Sequence, residues 1–170
     1  MIILLAGTTH TGKTALAQRL LEKYHYPYLS IDHLKMGLIR SGQTRLTPES
    51  SDAALTGYLW PILCGIIKTA LENQQNLIVE GCYIPFDWEV AFTRTEREQM
   101  RYVCLVMTER YIRSHYADIL RHASVIERRQ KPGCTLETLL DENAQVLVGC
   151  RMHGVQPLFI EDSYDVEVEL

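Results

Sequence analysis

The 170-residue sequence contains no Cys-x-x-Cys pair. Its five cysteines, Cys64, Cys82, Cys104, Cys134 and Cys150, are an odd number, several of them inside apolar runs. That argues against a disulfide framework or a zinc ribbon and for reduced, mostly buried thiols. No uninterrupted apolar run approaches the roughly 18 residues of a membrane span, so no membrane partner is expected. Basic residues are in deficit: 17 Lys and Arg against 21 Asp and Glu leave a net charge of −4, and no general basic surface points to nucleic acid. Internal repeats, low-complexity linkers, a G-x-G-x-x-G loop and a guanine-reading N-K-x-D segment are all missing. The first apolar run begins at Ile2, leaving no room for a signal peptide, and a cytoplasmic protein is expected. With 46% hydrophobic and 22% charged residues, the chain reads as one ordinary globular domain over 1–170.

What is present starts at once. Gly7-Thr8-Thr9-His10-Thr11-Gly12-Lys13-Thr14 follows the apolar run Ile2-Ile3-Leu4-Leu5-Ala6 and matches G-x-x-x-x-G-K-[ST]. A helical pattern of Ala15, Leu16, Leu20 and Leu21 runs out of it. The strand-loop-helix context gives the pattern its meaning. Gly7 and Gly12 let the backbone turn its N–H groups inward as an anion nest at a helix N-terminus. Lys13 is placed for the β- and γ-phosphates, and the Thr14 hydroxyl for Mg²⁺. The expected nucleotide contacts are therefore Gly7 through Ala15, with His10 either adding a hydrogen bond or filling a variable position.

Further along, a helix is expected over about Lys13–Lys23 and a second strand over Tyr28–Ile31, with Asp32 at its carboxyl end, where open α/β sheets place ligands. Asp32 admits two readings, a helix N-cap or the carboxylate that orients, or takes the proton from, an attacking hydroxyl. A dinucleotide-fold acid is set aside because the first loop lacks G-x-G-x-x-G and carries Lys-Thr instead. The next helix runs through Arg40, and Ser41–Pro48 is a polar loop. Lys35, Arg40 and Arg45 are candidates to hold an anionic acceptor. From Pro48 to Gln75 the pattern is helical, with Leu55, Leu59, Ile62 and Ile66 on one face and Pro61 expected to kink or restart it.

Asn76–Gly81 is the third strand, a continuous apolar run suited to a parallel strand covered on both faces. Glu80 at its tip is expected to face the phosphate loop, ordering a Mg²⁺-bound water or touching the acceptor. Tyr83 belongs to an aromatic loop that reads as acceptor wall. Arg101–Met107 is the fourth strand. Between Glu109 and Lys131 six bases stand against three acids, so the rest of the chain carries −7. Arg110, Arg113 and Arg121 lack enough matching acids there. A helical lid over about 109–133 is expected, bringing Arg110, Arg113, Arg121 and Arg128 towards the transferring phosphoryl group, with Arg121 the catalytic candidate. Thr135 is a candidate N-cap for a helix to about Met152, and Val155–Ile160 is the fifth strand. The segment from Glu161 to Leu170 alternates Val166, Val168 and Leu170, which fits an edge strand or a frayed end. Residues just after the fifth strand are candidates for the adenine.

The order of parts resembles the small P-loop kinases: adenylate and other nucleoside monophosphate kinases, shikimate kinase, chloramphenicol phosphotransferase, zeta toxins and 2-phosphoglycerate kinase-like proteins. The resemblance is carried by Gly7–Thr14, by Ser30-Ile31-Asp32, by Leu38–Gly42 and by Val79-Glu80-Gly81. It implies a three-layer α/β P-loop NTPase with a five-stranded parallel sheet flanked by helices and a helical lid. It also implies an acceptor region over about 32–75 and a kinase using ATP and Mg²⁺ on a small-molecule acceptor. Lys13 and Asp32 would be catalytic, Thr14 and Glu80 would serve the metal, and Asp32, Lys35, Arg40, Glu80 and Tyr83 would hold the acceptor. Adenylate kinases follow their strand-end Asp-Gly with Phe-Pro-Arg; Cys82–Pro85 has no arginine, which argues against AMP and for another hydroxyl-bearing molecule. The rival reading is a nucleotide-dependent switch that hydrolyses ATP slowly and has no small acceptor.

Overall fold

The computed structural model describes residues 1–122 and 134–170. Strand β1 (Ile2–Gly7) is the middle of a sheet ordered β2-β3-β1-β4-β5, with β2 at Tyr28–Ser30, β3 at Leu77–Glu80, β4 at Met100–Met107 and β5 at Leu158–Ile160. Every pairing is parallel; Leu5 lies beside Glu80 on one side and Val103 on the other. Ile2, Ile3, Leu4 and Leu5 all have 0% exposure, as an unalternating run covered on both faces requires.

Helices fill both faces. Helix α1 (Lys13–Tyr24) gives Leu16, Ala17 and Leu20 to the layer that receives Ile3 and Leu5, together with Tyr111, Ile112 and Ile119 of α5 (Glu109–His122). On the other face, Ile2, Leu4 and Ala6 meet α3 (Asp52–Glu72) and the loop carrying Tyr83, Ile84, Trp88 and Phe92. Helix α2 (Ile31–Arg40) follows β2 without a loop, the short α4 (Arg94–Arg97) precedes β4, and α6 (Leu136–Met152) precedes β5. Thr135 caps α6 by accepting from the Thr138 N–H, as its position suggests.

Two local expectations need correction. Of the kink or restart expected at Pro61, the restart does not occur: α3 runs through the proline as one helix of 21 residues. Both Pro61 and Gly57, whose carbonyl the proline deprives of a donor, are exposed, so that carbonyl is open to solvent. By length and composition α3 is also apolar enough to cross a membrane; in this fold it lays Leu55, Leu59, Leu63, Ile67, Ala70 and Leu71 into the core. The segment after β5 is neither strand nor frayed. Val166 and Val168 are buried in the α1 layer, and Arg101 bonds to the Glu169 carbonyl.

Candidate functional site

The loop between β1 and α1 is held by its own atoms. Gly7 has φ 135° and Gly12 φ 75°, and a Cβ at Gly7 would stand 2.5 Å from the Leu105 carbonyl oxygen. Glycine is thus needed at both ends, for backbone shape and for close approach. His10 adopts φ 64°, a conformation side chains rarely take. The Thr8 carbonyl accepts from Thr11 Oγ1 at 2.9 Å and from Lys13 Nζ at 2.7 Å. Thr8 Oγ1 in turn donates to Glu142 of α6 at 2.7 Å, which ties the loop to that helix.

A cavity of about 580 Å³ opens over this loop. His10, Gly12, Lys13, Thr14 and Ala15 form its floor, and Asp32, Glu80 and Cys82 its first wall. The opposite wall is Met107 with Tyr111, His115, Asp118, Ile119 and His122 of α5, and Asp162, Ser163 and Tyr164 complete it. Gly7, Thr8, Thr9 and Thr11 belong to the loop but not to the lining.

The parallel register puts Glu80 beside β1, and its buried carboxylate accepts from Thr14 Oγ1 at 3.2 Å. These two hard oxygen donors fit Mg²⁺, which takes few protein ligands and fills its octahedron with water and phosphate oxygens. Among the described residues no cluster of three or more His, Cys, Asp or Glu could hold a metal by itself. Lys13, 7% exposed, also lies 3.5 Å from Cys82 Sγ.

Asp32 is not an N-cap. Helix α2 starts at Ile31 with Ser30 as its cap position, so Asp32 stands in the first turn. One turn on, Lys35 forms an ion pair with it and donates to the Tyr83 hydroxyl at 3.1 Å, with its ammonium 4.9 Å from the Tyr83 ring centre. Burial pulls the Lys35 pKa down, but the Asp32 carboxylate and the Tyr83 hydroxyl outweigh it and leave it raised. Burial pushes Tyr83 up too, against Lys35. Arg40, at the far end of α2, is exposed and does not line the cavity.

The arginines of α5 are matched, contrary to the acid count. Arg113 pairs with Glu109 at 2.8 Å, Arg121 with Asp118 at 3.0 Å, and Arg110 with Asp162 beyond β5. Helical spacing supplies the first two partners and the fold supplies the third. All three guanidinium groups are exposed and outside the cavity lining. Arg128 and the rest of 123–133 lie outside the described residues. What α5 turns to the cavity is Tyr111, His115, Asp118 and His122, which recur at helical spacing. His115, at φ −119°, stacks on Tyr111 with ring centres 4.5 Å apart.

No protein-family model matches the chain, and no curated protein matches it in sequence. Solved structures do. A shikimate kinase from Bacteroides thetaiotaomicron is 16% identical with a TM-score of 0.54, over 95% of this chain and 85% of that one. A protein from Chloroflexus aurantiacus, provisionally described as a kinase, is 21% identical with a TM-score of 0.50, over 99% and 91%. A gluconokinase from Sinorhizobium meliloti is 18% identical with a TM-score of 0.45, over 94% and 81%. The phosphate loop, the all-parallel sheet around it and the likenesses to the Bacteroides and Chloroflexus structures agree: the chain has the fold of the small P-loop kinases.

Proposed function

We propose that the protein is a phosphotransferase that moves the γ-phosphoryl group of ATP to a hydroxyl or phosphate oxygen of a small molecule. One observation carries this reading: the Asp32 and Glu80 carboxylates share a single cavity with Lys13 and Thr14. Glu80 has a duty at any Mg·nucleotide site, whereas Asp32, on a separate element, has none there and suits an acceptor. Mg²⁺, held by Thr14 Oγ1 and Glu80, would supply positive charge to offset the charge that develops on the phosphates.

The chain's own groups divide the remaining work. Backbone N–H groups at the start of α1 and the Lys13 ammonium hold the phosphates. Thr14 Oγ1 and Glu80 present oxygen to the metal. Asp32 accepts a hydrogen bond from the acceptor hydroxyl and aims its oxygen at phosphorus. Its pairing with Lys35 favours orienting over deprotonating, because the ammonium already draws on the carboxylate's lone pairs. Arg121 screens the cavity-facing Asp118. Such chemistry is positioning and electrostatics, without a covalent nucleophile.

The test is ADP release from Mg·ATP with a panel of hydroxy acids, sugars, nucleoside monophosphates and antibiotic-type alcohols. An acceptor that raises turnover well above the basal rate, with the rise abolished in Asp32→Asn, is the expected result. Basal hydrolysis alone, lost in Lys13→Ala but unchanged in Asp32→Asn, would replace this reading with a nucleotide-dependent switch.

A further inference from the structure

The segment after β5 crosses the molecule to the phosphate loop. Tyr164 donates its hydroxyl to the Gly12 carbonyl at 2.6 Å, across 152 residues of sequence. Gly12 is the left-handed residue from which α1 starts, and its carbonyl also receives the first helical N–H, that of Leu16, at 2.9 Å. A Cβ on Gly12 would run into the Tyr164 ring, so ring and backbone are in closest contact there. Tyr164 is itself anchored. The Arg19 guanidinium of α1 lies 5.4 Å from its ring centre and donates to the Val166 carbonyl at 2.7 Å. Val166, 2% exposed, then sinks between α1 and the sheet. Burial pushes the Tyr164 pKa up to about 12, with Arg19 pulling the other way, so the hydroxyl remains a donor at any physiological pH.

An anion nest binds in proportion to how well its amides are aimed before the anion arrives, because a loop that must be ordered by its ligand spends binding free energy on that ordering. The peptide unit whose carbonyl Tyr164 grips is the one that supplies the Lys13 N–H. We propose that Tyr164 is a positioning residue for phosphate binding, holding the Gly12–Lys13 peptide so that the start of α1 is aimed into the cavity. Its target is the polyphosphate, not the base. The segment 161–170 then works as a strap that couples the far edge of the fold to the nest. The inference rests on the phosphate-site part of the proposed function and on nothing about the acceptor.

The experiment compares full-length parent and Tyr164→Phe by calorimetric titration with Mg·ATP and, separately, Mg·tripolyphosphate, alongside thermal unfolding of each protein. Phenylalanine keeps the ring against Gly12 and removes one donor. One hydrogen bond of ordinary net strength predicts a Kd increase of about threefold to tenfold. That increase is expected by the same factor for both ligands, at a Tm within about 3 °C of the parent. Arg19→Gln, which frees the strap while leaving the hydroxyl, is expected to weaken both ligands by a smaller common factor. A loss for ATP with tripolyphosphate unchanged would overturn the proposal by making Tyr164 a base or ribose contact. Unchanged affinity for both would overturn it as well, while leaving the kinase reading standing. A parent that binds neither ligand would defeat both ideas, and only that outcome does so.

Discussion

The two sides of the cavity are built differently. The phosphate side is nine consecutive residues whose backbone makes the site; the side chains of Thr11 and Lys13 pin the loop to itself, and that of Thr8 ties it to α6. The side proposed for the acceptor is side-chain work: Asp32 from α2, with Lys35 and Tyr83 packed around it, beside Glu80 at the end of β3. A backbone site recognises one thing, polyphosphate, and is the same for any acceptor. A side-chain site can change its substrate through single substitutions without touching the loop. The fold can therefore be read as a fixed donor half and an adjustable acceptor half.

The largest expected effect breaks the donor half. Lys13→Ala removes a buried cation at the nest and should lower ADP release by about a thousandfold, with or without acceptor. The next separates the halves. Asp32→Asn should lower acceptor-stimulated turnover by about a hundredfold, while the Kd for Mg·ATP, measured by titration, stays within about twofold. If nucleotide affinity falls as far as turnover does, the two sides are one site and the division is wrong.

This difference also decides what could be read from sequence. Gly7–Thr14 was legible because its parts are contiguous and each answers to a local rule. The buried strands β1, β3 and β4 announced themselves as unbroken apolar runs, and Thr135 as a cap. Asp32 was locatable at a strand end, yet only coordinates show that Ser30 holds the cap position and that Lys35 holds the carboxylate. The cavity wall from α5 was missed for a different reason. An excess of arginine drew attention to the outward face, while Tyr111, His115, Asp118 and His122 recur at helical spacing on the inward one. Tyr164 had no local signal at all, because its partner Gly12 lies at the other end of the chain.

Alkali should loosen both halves together. Lys35, Tyr83 and Tyr164 each have a folded pKa raised above the ordinary value. A raised pKa means that the folded state binds the proton more tightly than the unfolded one. The associated stability is complete below the unfolded values, near 10 for tyrosine and 10.4 for lysine, and is lost as pH rises through the folded ones. The urea midpoint should hold level up to about pH 9 and fall from about pH 10 upward. Tyr83→Phe should make that fall shallower. A midpoint that rises between pH 10 and 11 would mean that these groups are not protonated partners in the folded protein.

The smallest effect concerns charge that faces the donor side without touching it. Asp118 lines the cavity, and Arg121 pairs with it from outside at 3.0 Å, both side chains more than half exposed. Such a pair adds little stability, but removing only the arginine leaves a carboxylate facing polyphosphate. Arg121→Gln should therefore raise the Kd for Mg·ATP about twofold to fivefold at low salt, and the effect should shrink above about 0.2 M salt as screening sets in. Arg121→Gln combined with Asp118→Asn should restore the parent value, whereas Arg94→Gln, which breaks the exposed pair with Glu98, should leave it unchanged. Failure of the double variant to restore affinity would mean that Arg121 meets the phosphates directly. The donor half would then depend on a side chain from α5 as well as on its own backbone.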